Sequence, residues 1–151
     1  MHPEIRKRAN AKGFTESDGS LLILPCGAED ESAIIAAIGQ PNTVDTLISI
    51  LTLCSIPQPQ QTLTALVRTH LKSGGTFVFF EHVLSHRADV AFWQRFWTPV
   101  WQWCMDGCRL DRPTALWVQR MAEWRESEVG GIDGASEENL FWQQKGKCIK
   151  A

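Results

Sequence analysis

Several features that would identify a function class at once are missing from this chain. No apolar run approaches the roughly 20 residues a membrane helix needs, and the opening MHPEIRKRAN is polar and basic where a secretory signal would be apolar. Lys and Arg total 15 against 17 Asp and Glu, a net charge of −2, so the footprint of a nucleic-acid binder is lacking. There are no internal repeats and no second domain: 151 residues, 44% apolar and 21% charged, describe one globular unit able to bury a core. The five cysteines are odd in number and none form a C-x2-C pair. Cys104 and Cys108 stand four apart on an expected helix with no histidine beside them in sequence, so no metal site is expected. Reduced thiols make a cytoplasmic protein the plain reading. No glycine-rich loop opens a helix after a strand, because Gly130-Gly131 and Gly134 lie near the C-terminus outside any strand-to-helix context.

What is present is concentrated between Val44 and Val83. Val44 to Ile50 is a β-branched apolar run, suited to a strand covered on both faces. Leu63, Leu66, Val67 and Leu71 recur at helical spacing, and Lys72-Ser73-Gly74-Gly75 supplies a cationic last turn and a glycine stop. Thr76 to Phe80 is again a continuous β-forming run, ending at the charged pair Glu81-His82. Strand, helix and strand within about forty residues predict a right-handed parallel crossover. Ligands in such sheets sit beyond the carboxyl ends of the strands, which points to Leu51–Pro57 and Glu81–Val83.

TLCSIP after the first strand, LKSGG before the second, FFEHV at its end and the later WQRFWTPVWQWCMDGCRLDR together resemble the C-terminal half of class I S-adenosylmethionine-dependent methyltransferases. The branch they are most similar to is that of the small-thiol methyltransferases and their fungal relatives. Arg109 stands where that pattern has histidine, and Ser73 where it has proline. The resemblance runs over roughly Met1 to Arg112 and rests on the order of four motifs. It implies that the first strand, the cofactor's glycine-rich loop and the ribose-binding acid would precede Met1, so the fold expected is an incomplete Rossmann-like α/β domain. Its sheet should be mostly parallel, built of strands near Leu21, Thr46, Phe79 and Phe141, with helices on both faces.

The resemblance also assigns candidate residues. Ala28, Glu29 and Asp30 would border the adenine of S-adenosylmethionine, with Gly27 at the position of the usual acid; helix N-terminal capping is the competing and preferred account of the two carboxylates. Leu51 and Thr52 would face the cofactor and Cys54 the substrate, against a reading in which they merely finish a strand. His82, with Glu81 beside it, is the best catalytic candidate, since an imidazole near its working pKa can take a proton from a thiol or hydroxyl. Adjacent strand residues point to opposite faces, which weakens a Glu81–His82 dyad. Trp93, Trp97 and Trp101 recur at four-residue intervals along an expected helix from Asp89 to Cys104, broken or kinked at Pro99. They read as core, as the wall of a substrate lid, or as a self-association surface.

A further helix is expected from Arg112 to Trp124, then an exposed acidic, glycine-rich connection from Glu126 to Glu138 and an irregular strand from Leu140 to Ile149. Residues Pro3 to Gly13 and Ser32 to Ile38 are expected as helices, and Ser20 to Pro25 as a short buried strand. Two functions follow. One is methyl transfer to a small apolar thiol or hydroxyl compound, with weak or absent cofactor binding. The other is a methyltransferase-fold protein without cofactor chemistry, serving as a small-molecule binder, cyclase, isomerase or partner subunit. An unfinished sheet would expose an apolar strand edge, so a homodimer or a complex with a partner subunit is expected.

Overall fold

The computed structural model describes residues 2–151. Four strands, β1 (Val44–Ile50), β2 (Leu71–His82), β3 (Trp124–Gly131) and β4 (Gln143–Lys150), form one sheet in the order β1-β2-β4-β3. The helices are α1 (His2–Asn10), α2 (Glu31–Ile38), α3 (Pro59–Ala65), α4 (Ala88–Cys104) and α5 (Thr114–Arg120), with a π-helical turn over Leu66–His70 closing α3. β1 and β2 are the expected parallel pair, in register from Thr46↔Thr76 to Ile50↔Phe80. The other two pairings are antiparallel, so the sheet is mixed where a mostly parallel one was expected.

The difference has a local cause. The stretch read as an exposed connection becomes β3, because Ser127 and Val129 alternate with Glu126 and Glu128 and pair with Cys148, Gly146, Ile149 and Lys147 of β4. Acid and glycine content suggested a loop, and the ladder to β4 outweighs it. Conversely, Ser20 to Pro25 forms no strand and Leu22 is exposed, since a strand-like run without a neighbour has no ladder to join. The last strand begins at Gln143 and leaves Phe141 outside it.

The glycine stop also moves. The helical segment ends at His70, and Lys72–Gly75 lie inside β2 as an irregularity opposite Val44–Thr46, with Gly74 at φ 73°. Pro99, expected to break or kink its helix, sits within an uninterrupted α4. The expected helix over Arg112–Trp124 shortens to α5, started by Pro113 and followed by β3.

One sheet face carries the core. Phe77 and Phe79 of β2, Cys148 of β4 and Leu47 of β1 lie on it, packed by Leu63, Val67, Ala115 and Val118 from α3, the π turn and α5. Phe77 stacks between Phe79 at 5.7 Å and Trp124 at 5.8 Å. Gly146 gives room for the ring of Phe79, since a Cβ there would stand 2.4 Å from it. On the opposite face Ile48 and Ile50 are 62% and 61% exposed, and Val78 is exposed too. That face is thus open at Ile48, Ile50 and Val78, and β1 is an edge strand.

Candidate functional site

The carboxyl ends of β1 and β2 converge on a cluster that Glu81 organises. After Ile50 the chain turns at Leu51, which takes φ 50°, and exposes its backbone amides toward β2. The fully buried Glu81 carboxylate accepts from the Ser49 hydroxyl at 2.7 Å and from the N–H groups of Thr52, Leu53 and Cys54 at 2.9, 3.0 and 3.3 Å. Glu81 is thus a clamp on the 52–54 turn, on the sheet face opposite His82, and its carboxylate is occupied by that turn. Alternation along β2 separates the two side chains, the geometry that already weakened a Glu81–His82 dyad in the sequence.

His82 points to the other side and meets cysteines. Its Nδ1 lies 3.4 Å from Cys108 Sγ, which in turn is 3.3 Å from Cys54 Sγ, and its Nε2 lies 3.2 Å from the Gln143 amide. Burial lowers the pKa of His82, favouring the uncharged ring, with Glu81 opposing the shift. Burial, eased by a hydrogen bond with Ser55, pushes the Cys54 thiol up to about 12. Sequence reasoning missed Cys108 as a partner of Cys54 because 54 residues separate them. Only the turn at Asp106-Gly107 and the Arg109 N–H to Cys54 O bond of 2.9 Å bring them together. No metal site was expected from the Cys104–Cys108 spacing; across the fold, one ligand atom each from Cys54, His82 and Cys108 lie within 4.8 Å of one another.

Arg112, which ends the WCMDGCRLDR motif, donates from one guanidinium nitrogen to Leu53 O at 2.7 Å and Ile56 O at 2.8 Å. Burial lowers its pKa, the more so for the neighbouring Arg109. It locks the far side of the Cys54 turn as Glu81 locks the near side.

The remaining candidates fall in separate places. Trp101 packs in a tilted arrangement on Phe141 at 4.5 Å, and Phe141 in turn lies 6.3 Å from the His82 ring. Trp93 and Trp97 line a groove of about 370 Å³ with Arg87, Asp89 and Glu138. They belong to an outward edge-to-face series with Phe92 and Phe96. The inward side of α4 is held by Val90, Ala91, Gln94 and Thr98, and Gln94 bonds Ser85 N, Val83 O and Leu140 O. Its aromatic stripe is therefore exposed, contrary to the core reading. Ala28 and Glu29 line a cavity of about 160 Å³ with Gln58, Thr62 and the buried His70, both of whose ring nitrogens lack a partner. Asp30 caps α2, accepting from Ala33 N at 3.1 Å, as capping preference suggested. The Thr52 hydroxyl donates to Ile50 O and its N–H goes to Glu81, while Leu51 is exposed.

No protein-family model matches the chain. It is 34% identical over 103 residues to the rat thiol S-methyltransferase TMT1B, across 68% of this chain and 37% of that protein. It is 38% identical over 73 residues to human TMT1B, across 48% and 30%, and 36% identical over 82 residues to human thiol S-methyltransferase TMT1A, across 52% and 32%. The chain thus spans about a third of the length of the curated relatives it matches. Among solved structures, a Thermotoga maritima S-adenosylmethionine-dependent methyltransferase, described as a possible histamine N-methyltransferase, superposes with TM-score 0.59 and 14% identity. That match covers 87% of this chain and 65% of the other. The complex of the Haloferax volcanii Trm112 methyltransferase activator with a methyltransferase gives TM-score 0.60 at 17% identity, covering 98% and 68%. These two likenesses establish the fold. No helix among the described residues is long and apolar enough to cross a membrane.

Proposed function

We propose that this chain, a relative of the class I S-adenosylmethionine-dependent methyltransferases on their thiol S-methyltransferase branch, handles the acceptor side of methyl transfer to a small apolar thiol. The observation that carries the reading is His82 facing Cys54 and Cys108 at the carboxyl ends of β1 and β2, where open α/β sheets hold ligands. A thiol becomes a strong nucleophile as its thiolate. A neutral imidazole facing the sulfur favours that form, by accepting the proton or by holding an ion that displaces it. Phe141 beside His82, backed by Trp101, offers an apolar wall, which suits a hydrophobic acceptor.

S-adenosylmethionine supplies a methyl group already activated on a sulfonium. The described residues do not by themselves fit it. The Asp30 carboxylate is committed to the α2 cap, the Thr52 N–H to Glu81, and the cavity beside Ala28 and Glu29 has about 160 Å³. Small-molecule sites hold roughly 300–1,000 Å³. Cofactor affinity no tighter than about millimolar is therefore expected by calorimetric titration.

The same small cavity favours a second reading, a methyltransferase-fold protein that binds a small molecule, or serves as a cyclase, isomerase or partner subunit, without cofactor chemistry. Incubation with methyl-labelled cofactor at several millimolar and an apolar aryl or alkyl thiol separates the two. Labelled thioether is expected, with His82→Ala lowering turnover by at least about tenfold at unchanged cofactor affinity. Absence of product would leave the second reading standing.

The outer edge of β1 and the exposed Ile48 and Ile50 suit pairing with a second copy. A dimer is expected by sedimentation at micromolar concentration, and Ile48→Lys with Ile50→Lys should shift it to monomer. A wild-type chain that sediments only as a monomer would remove the homodimer from this reading.

A further inference from the structure

We propose that Cys54, His82 and Cys108 form a zinc site with three protein ligands and a fourth position available to a thiolate. Each ligand is fixed by backbone before any ion arrives. Cys54 sits in the turn whose amides at Thr52, Leu53 and Cys54 are clamped by Glu81. Cys108 follows Asp106 and Gly107, at φ 48° and 85°, and the Arg109 N–H to Cys54 O bond ties its turn to the first. His82 is held in the ladder opposite Gln143.

The distances suit the ion. Tetrahedral zinc, with Zn–S of about 2.3 Å and Zn–N of about 2.0–2.1 Å, places its sulfurs roughly 3.8 Å apart and sulfur from nitrogen roughly 3.6 Å. The corresponding separations are 3.3 Å between the two sulfurs and 3.4 Å from Cys108 Sγ to His82 Nδ1. All three ligand atoms lie within 4.8 Å of one another, so χ adjustments of the two cysteines, about half an ångström for the sulfur pair, would bring them to tetrahedral spacing. Neither thiol belongs to the main apolar core, unlike the equally buried Cys148. Rotating the Gln143 amide turns its oxygen to His82 Nε2–H and leaves the Nδ1 lone pair for the metal, the hydrogen-bonded arrangement that ligating histidines usually have. Two thiolates neutralise a divalent ion, which removes the cost of burying either charge alone. Thiolate and imidazole donors select zinc over magnesium, calcium or manganese.

Three protein ligands are the mark of zinc sites that admit a water or a substrate. Occupation of the fourth position by the acceptor thiol rests on the methyl-transfer reading above, whereas the metal site does not. On binding there, the thiol would lose its proton to bulk solvent and take the place of any water in that position, held as a thiolate.

The test uses the chain kept reduced with a phosphine, stripped of metal and titrated with zinc alone. One ion per chain is expected, with about one proton released by each cysteine, read from calorimetry in buffers of different ionisation enthalpy. Cobalt should give a sulfur-to-metal charge-transfer band. Cys108→Ser and His82→Ala should weaken binding beyond the roughly 10–100-fold that loss of an outer hydrogen-bond partner causes. Cys104→Ser, altering the exposed cysteine outside the cluster, should bind as the wild type does. Circular dichroism establishes that each variant is folded. The proposal is overturned if the folded, reduced chain takes up no zinc, if Cys104→Ser loses as much as Cys108→Ser, or if the cobalt spectrum lacks a thiolate band. An apolar thiol should then perturb the cobalt spectrum. An unperturbed spectrum with zinc still bound would sink the acceptor role of the fourth position, and persistent zinc binding without any methylation would count against the methyl-transfer reading alone.

Discussion

Replacing Glu81 by alanine is expected to destabilise the chain by about 2–6 kcal/mol. The carboxylate accepts from one hydroxyl and three backbone amides, and the Leu53 and Cys54 amides belong to residues that are almost wholly buried. The Ser49 hydroxyl can rotate to another partner, but the amides cannot. Each buried donor left unpaired costs about 1–3 kcal/mol, so the sum is a large part of the roughly 5–15 kcal/mol that holds a domain together. Glu81→Gln provides the control. An amide oxygen can still serve Ser49, Thr52 and Leu53, and only the weakest contact, at 3.3 Å to Cys54 N, becomes a donor facing a donor. Chemical denaturation should therefore rank wild type above Glu81→Gln above Glu81→Ala. An alanine variant within about 1 kcal/mol of wild type would show that the turn is held by something else. Because Cys54 rides on this turn, Glu81→Gln should also loosen metal binding while remaining folded.

Phe77→Ala is the second large effect, at about 3–5 kcal/mol, the usual range for removing a buried phenyl ring. Phe77 has no exposed surface and lies between Phe79 and Trp124, so its loss opens a cavity on the sheet face that carries the core. The denaturation midpoint should fall without a change in slope. Trp103→Ala, at a residue 86% exposed on α4, should stay within about 0.5 kcal/mol. Comparable losses from both variants would contradict a core confined to one face.

Much of the fold was legible where local pattern and tertiary demand agree. The β-branched run of β1, the apolar stripe Leu63, Leu66, Val67 and Leu71, whose last member instead opens β2, and the Thr76–Phe80 run announced the parallel pair that the fold contains. The carboxyl ends of those strands were likewise named as the place to look. Two kinds of error had physical causes. β3 was hidden because glutamates and glycines lack strand propensity and are held by a partner strand. Ser20–Pro25 was over-read because β-forming residues make a strand only beside another one.

The residue types at the site were determined by the sequence alone: a Glu-His pair ending one strand, a cysteine after the other, and a Gly-Cys turn following a tryptophan-rich helix. Their assignment to roles was decided by tertiary structure. The alternation of β2 sent Glu81 to clamp a turn and His82 to meet sulfur, and a bond between two turns brought Cys108 across 54 residues to Cys54. Spacing along a chain reports which side chains share a helix or a strand. It carries no information about which turns a backbone hydrogen bond will join, and that pairing is what created the Cys54–His82–Cys108 cluster.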